Sequence, residues 1–287
     1  MTLDMIADCV DESGNPAVLI RADTRETIIR LEARPGQERP AYVETYNDCV
    51  NKTEIMSKGV CLAWSGDEEM IKPVRDLLRI FAPLLERDGL TDKLMAMMTN
   101  SLFFAGEHTG ADRKGMLRVA DLLVGVRDSH GNVQMLRVLV KTPGMSYGNV
   151  YHSQTDAEVQ RLDQAFAVGL DLEGPNAALD TIRKQWFGHS TAGHSMDVVG
   201  AMMEEVINYE LVHDPNSRYI NDRATYILVS RDGIRQLSEL EVARLMEARK
   251  SIVNSGLDRI VAVAEYEKAT APKATDTMHR SKSRNPA

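Results

Sequence analysis

Apolar and polar residues alternate from the first residues of the chain. Leu3, Met5, Ala7 and Cys9 alternate with Asp4, Ile6 and Asp8, which is the period of a strand over 2–10. Asp11-Glu12-Ser13-Gly14-Asn15-Pro16 is turn chemistry, and Ala17 to Thr24 reads as a second strand, so a hairpin opens the chain. Residues 34–41, rich in Arg, Pro, Gly and Gln, predict an exposed loop. A strand around 51–56, a turn at Lys58-Gly59 and a strand over 60–64 follow. From Gly66-Asp67 the period lengthens to that of a helix. Asp67, Glu68 and Glu69 sit in its first turn, where the helix dipole favours acids. Met70, Val74, Leu77, Leu78, Phe81 and Leu85 form its apolar stripe, and Pro73 and Pro83 predict a kink or a split within it.

A second helix is expected over about 91–104, then a second hairpin: Ala120 to Val126, the turn Asp128-Ser129-His130-Gly131-Asn132, and Val133 to Val140. A short strand ends at Gly169, helices are expected around 174–186 and 195–211, and a last strand runs from Ala224 to Ser230. Runs of strands alternating with runs of helices predict α+β layering rather than βαβ repeats, and no G-x-G-x-x-G or P-loop is present. Residues 236–267 are helical by pattern and form an extension to the domain over 2–235. Residues 268–287 read as a basic, disordered tail.

Composition narrows the function classes. A hydrophobic content of 43% excludes a mainly disordered protein, and a net charge of -8 argues against a general nucleic-acid role. Cys9, Cys49 and Cys61 form no CxxC pair, which suits a reducing cytoplasm. The start of the chain has no basic leader pattern, and no apolar run approaches the roughly 20 residues that span a bilayer, so a soluble cytoplasmic protein without membrane contact is expected. His189, His194 and His213 match no zinc spacing, and neither a metal nor another cofactor is expected. Met95, Met97 and Met98 read as packing residues.

Four blocks resemble the proteasome β subunits and the related bacterial HslV peptidase. The first is a strand, a turn and a strand ending Ala22-Asp23-Thr24-Arg25, placing Thr2, Asp23 and Arg25 where the family has its threonine, acid and arginine. The turn is longer than is usual there. The second is Lys52-Thr53-Glu54-Ile55 followed by Ala63-Trp64-Ser65-Gly66, with Lys52 and Gly66 fourteen positions apart as in the family. The third is the helix pair followed by Leu122-Leu123-Val124-Gly125-Val126-Arg127-Asp128. The fourth is Ala167-Val168-Gly169, two helices and the strand Tyr226 to Gly233. Two departures stand out. Gly169-Leu170-Asp171 lacks the serine of the family's Gly-Ser-Gly, and Asp214-Pro215-Asn216-Ser217 has the Asp-x-x-Ser spacing but lies early, so an insertion is required.

The resemblance implies the four-layer αββα sandwich of N-terminal-nucleophile hydrolases and a threonine endopeptidase whose nucleophile is Thr2 once Met1 is removed. It assigns Asp23 and Lys52 as catalytic partners, Arg25, Gly66, Gly169, Asp214 and Ser217 as support, Gly66 N–H as oxyanion donor, and Trp64 as the lining of a shallow substrate pocket. A hydroxyl needs a base, and an α-amine with an unperturbed pKa of roughly 7.7–8.0 serves. The partners implied are identical subunits in a ring or other closed assembly and unfolded polypeptide substrates, with room for an ATP-dependent unfoldase. Two other readings stay open: acylase or transpeptidase chemistry on the same fold, and a non-catalytic structural subunit.

Overall fold

A computed structural model describes residues 3–32, 41–111, 117–145, 151–169, 174–213 and 222–271. The chain opens with β1 (Leu3–Val10), β2 (Pro16–Asp23), β3 (Glu26–Glu32), β4 (Ala41–Asn47), β5 (Thr53–Ile55) and β6 (Val60–Gly66). Two helices follow, α1 (Glu68–Asp88) and α2 (Asp92–Ala111). Next come β7 (Val119–Arg127), β8 (Val133–Lys141), β9 (Gly144–Met145), β10 (Tyr151–His152), β11 (Asp156–Leu162) and β12 (Phe166–Gly169). The remainder is α3 (Gly174–Phe187), α4 (Met196–His213), β13 (Ala224–Ser230), β14 (Gly233–Gln236), α5 (Glu239–Asn254) and α6 (Arg259–Thr270).

The fold is mixed α+β with antiparallel sheets. One five-stranded sheet has the order β12-β1-β2-β13-β14 and a second the order β11-β8-β7-β6-β5; β3-β4 and β9-β10 are separate pairs. Alternation along the strands sorts the side chains into three buried clusters. Leu3, Met5, Ala7 and Cys9 of β1 pack with residues of α3, α4, α5 and α6. Val60, Leu62 and Trp64 of β6 pack with α1 and α2. Ile6, Val18 and Ile20 of the first sheet meet Cys61, Ala63 and Leu123 of the second in a shared apolar layer. Both faces of the central strands are therefore buried, which is why Leu122 to Val126 reads as a continuous apolar run. Gly125 lets the sheets approach: a Cβ there would lie 2.7 Å from Val229 Cγ2. Each large side chain fully buried in these layers stabilises the fold by about 1.5–3 kcal/mol.

Several elements differ from expectation. Helix α1 runs unbroken through Pro73 and Pro83, capped by the Asp67 side chain on Glu69 N (3.0 Å) and by Gly89. Its buried stripe of Met70, Val74, Leu78, Phe81 and Leu85 holds it on the second sheet across both missing amide donors. The β3–β4 hairpin, β11 and β14 extend the strand inventory beyond the alternating runs. The C-terminal segment is two helices, split at Gly256 (φ 71°), with a capping box from Ser238 and Glu241 starting the first. Leu245, Ala248, Ile252, Ala262 and Val263 of this segment join the first-sheet cluster. Of the loop expected at 34–41, residues 34–40 lie outside the described residues and Ala41 opens β4; of the tail expected at 268–287, residues 272–287 lie outside them and Lys268 to Thr270 belong to α6. Among the described residues no helix is long and apolar enough to cross a membrane.

Candidate active site

The end of β2, the head of β1 and the residue before β5 converge on one buried polar group. Asp23 is the last residue of β2, and its carboxylate accepts the amides of Arg25 (Oδ1, 2.7 Å) and of Leu3. Its own amide donates to Asp4 Oδ1 at 2.8 Å. Lys52, 8% exposed, donates from Nζ to the Arg25 carbonyl oxygen, and its charge acts on both Asp23 and Asp4. Burial pushes the Asp4 carboxyl up to about 7, opposed first by Lys52 and reinforced by the Asp23 charge. Asp23 is also raised by burial, with Lys52 the largest opposing influence. Arg21 stands behind the pair, fully buried and bonded to Glu204 of α4 (Nε–Oε1 2.6 Å), which also accepts the Tyr226 hydroxyl.

Arg25 reaches outward instead of into this group. Its guanidinium makes two bonds to Asp48, Nε–Oδ1 2.5 Å and Nη2–Oδ2 2.9 Å. Thr24 donates its hydroxyl to Asp48 O (3.0 Å), and Val50 N donates to Thr24 O (3.0 Å). These contacts tie the segment that leads into Lys52 onto the end of β2, so they fix where the ammonium stands.

Gly66 closes β6 with φ 125°, and a Cβ there would fall 2.0 Å from Val119 O, so only glycine fits. Asp67 donates its amide to Val119 O (2.7 Å) on the β7 side, whereas Trp64 donates to Lys52 O (3.2 Å) on the β5 side. Amides alternate in direction along a paired strand, so that of Gly66 faces the same edge as that of Trp64, the edge Lys52 leads into. Gly169 pairs with Leu3 at the head of β1, and Asn176 of α3 clasps Ala167 through both its amide atoms (2.9 and 2.8 Å). The Trp64 indole is 8% exposed and packs in the cluster under α1, with the Arg75 guanidinium 4.2 Å above the ring. Thr2, Asp214 and Ser217 lie outside the described residues.

Asp4 and Asp48 were not among the residues singled out from sequence. Asp4 falls on the polar beat of an alternating strand and reads as solvent-facing. Because both faces of β1 are covered, it is fully buried instead. A second buried polar pair lies on β7 and β8, where Arg137 meets Asp121 through two bonds (Nε–Oδ1 2.8 Å, Nη2–Oδ2 2.6 Å) and lies 5.0 Å from the Phe166 ring. No family model matches the chain, and no curated protein matches it in sequence.

Proposed function

We propose that the chain is a threonine endopeptidase of the N-terminal-nucleophile type, similar to proteasome β subunits, with the αββα sandwich of that fold. Two antiparallel five-stranded sheets sharing one apolar layer, with α1 and α2 on one outer cluster and α3 to α6 on the other, support the architecture. The observation that carries the functional reading is that the Leu3 amide and the Lys52 charge both act on the Asp23 carboxylate. Thr2 is covalently joined to Leu3, so a terminal hydroxyl and amine stand one residue from that group.

In this reading Thr2 Oγ attacks the peptide carbonyl carbon while its proton passes to the α-amine. Collapse of the tetrahedral adduct breaks the C–N bond, the leaving amine takes the proton, and water then hydrolyses the ester. Lys52 lowers the amine's pKa and stabilises the developing alkoxide, the Asp23 carboxylate orients Lys52, and Gly66 N–H receives the oxyanion. Oxyanion donors of this kind are worth roughly 2.7–4 kcal/mol. Arg25 and Gly169 hold the surrounding backbone, and Asp214 and Ser217 are assigned support roles by their spacing alone.

Phe103 and Phe104, exposed on α2, suit burial between identical subunits of a closed assembly, which would also confine an unspecific protease to unfolded chains. Three free cysteines suit a reducing cytoplasm. The absent serine after Gly169 and the covered Trp64 favour, as a second reading, transfer of an acyl group to an amine at the same nucleophile; ligated products without net hydrolysis would identify it. Intact mass decides the shared premise. The native chain should lack Met1, and Thr2→Ala should abolish turnover while assembly persists; a retained Met1 in an active preparation would sink both readings.

A further inference from the structure

Two apolar surfaces stand at opposite edges of the second sheet. The first is the β3–β4 hairpin. Among the described residues β3 and β4 pair only with each other, outside both five-stranded sheets. Their register sets Thr27 opposite Tyr46, Ile29 opposite Glu44 and Leu31 opposite Tyr42, so Ile29, Leu31, Tyr42 and Tyr46 share one face of the ribbon. Tyr46 is 42% exposed. A ribbon of two strands is marginal in water by itself and gains most from a surface to lie on. The second surface is on α2. Phe104 is 70% exposed there, Phe103 meets it edge-on at 6.0 Å, and the exposed Met97 lies two helical turns before Phe104 on the same face.

The topology separates the two. The hairpin leaves the end of β2 and returns at Asn47, shortly before Lys52 and β5. Its base is closed by the Arg25–Asp48 bonds and by the Val50 amide on Thr24 O, which fixes where it departs. β5 is one outer strand of the second sheet; β11 is the other, roughly 19 Å away by strand spacing. Helix α2 lies over β11 and β8, with Gly106 against Thr155 and Val140. Asp156 at the head of β11 pairs with Lys141, and Lys141 with Val119, next to the Gly66–Ala120 pair. Both surfaces therefore sit at the Lys52 end of the sandwich, on opposite edges.

We propose that the β3–β4 arm of one copy docks on the Met97–Phe104 face of α2 in the next copy, joining identical chains head to tail. This rests on the reading of the chain as a subunit of a closed assembly. Copies set edge to edge, β5 of one toward β11 of the next, bring the two apolar faces together. Each pairing leaves one arm and one helix face open at its ends. Such a contact is heterologous, so it repeats from copy to copy and closes into a ring where the rotation allows.

Native mass spectrometry of full-length chains tests this with two variants. Ile29→Glu with Leu31→Glu disables the arm; Phe103→Glu with Phe104→Glu disables the helix face. The wild type should be an oligomer and each variant alone a monomer. Mixed, the variants should give a dimer holding one of each and nothing larger, because one intact arm then meets one intact helix face. A monomeric wild type, a variant that assembles alone to the wild-type size, or a mixture of any other composition overturns the proposal. Should the arm variant not fold, a photoreactive benzoyl-phenylalanine in place of Tyr42 decides. In oligomers assembled from isotopically heavy and light chains its cross-links should join heavy to light chains at α2; cross-links confined to one chain or to another element overturn the proposal. The protease reading is judged apart from this. Head-to-tail assembly without peptide hydrolysis fails that reading and leaves the interface standing, whereas a hydrolytic monomer overturns the interface and leaves the nucleophile.

Discussion

The Asp23 amide donates to Asp4 Oδ1 at 2.8 Å, joining the end of β2 to the head of β1 through a carboxyl that no solvent reaches. The bond has a consequence for stability as a function of pH. The Asp4 pKa rises from the ordinary 3.8 to about 7 on folding, so over that interval the folded chain binds more protons than the unfolded one. Stability must then fall as pH rises from about 4 to about 7. Asp23, Asp121 and Asp197 are raised as well and contribute in the same direction. Thermal melts should therefore show a midpoint that climbs as pH is lowered from 8 to 5.5. Asp4→Asn should flatten the climb without removing it. An equal slope in both proteins would mean that Asp4 is ionised throughout.

Asp48 separates positioning from stability. Its pair with Arg25 is partly exposed, with side-chain accessibilities of 20% and 41%, and such pairs contribute about 0–1 kcal/mol. The same carboxylate nevertheless fixes Arg25, whose carbonyl oxygen receives the Lys52 ammonium. Asp48→Ala should accordingly shift the unfolding free energy by less than about 1 kcal/mol and lower kcat about tenfold or more, since small misplacements of a catalytic group are costly. Urea titration and peptide turnover on the same preparation measure both. A large loss of stability, or unchanged turnover, would contradict this division.

Gly66 is required by shape before it is required by chemistry. Alanine there must place a Cβ where the Val119 carbonyl oxygen already stands and hold φ near 125°. Backbone strain of this kind costs about 1–3 kcal/mol before the clash is added. Gly66→Ala should destabilise the chain by more than about 3 kcal/mol or fail to fold. A stable, folded variant would show that the turn from β6 into α1 has another conformation available.

How much of this was legible in the sequence follows from what each pattern encodes. The β1–β2 and β7–β8 hairpins were readable because Asp11 to Pro16 and Asp128 to Asn132 are unambiguous turn chemistry between apolar runs. Strand β11, with the sequence Asp-Ala-Glu-Val-Gln-Arg-Leu, was not: it is an edge strand, mostly exposed on one side, and takes its form from pairing with β8 across Asp156 to Leu162. Helix α1 was visible, but its continuity through two prolines was not, because tertiary burial outweighs the local penalty. At the site, Asp23 and Lys52 were picked out by resemblance, and their meeting on the Arg25 and Leu3 backbone is a matter of geometry that spacing does not encode. Asp4 was hidden by alternation itself. A strand covered on one face puts its acids in water, whereas one covered on both buries them, and only the sheet order distinguishes the cases.

The Arg137–Asp121 pair shows what an interior ion pair contributes between two sheets. Both side chains are nearly buried, and the Asp121 carboxyl is raised by that burial despite two bonds to the guanidinium. Removing both charged groups from water offsets most of the attraction between them, so the pair adds little net stability over an apolar replacement of similar volume. Removing only one leaves the other buried without its counter-charge, which costs about 3–5 kcal/mol. Arg137→Met should thus destabilise by about that amount, measured by urea unfolding at pH 8, where Asp121 would otherwise be charged. At pH 4.5 the cost should shrink, because Asp121 can take up a proton. The double variant Asp121→Leu, Arg137→Met should recover most of the loss at pH 8. If it recovers nothing, the guanidinium is needed for its contact with Phe166 rather than for its charge, and the packing of β12 against β8 depends on that stack.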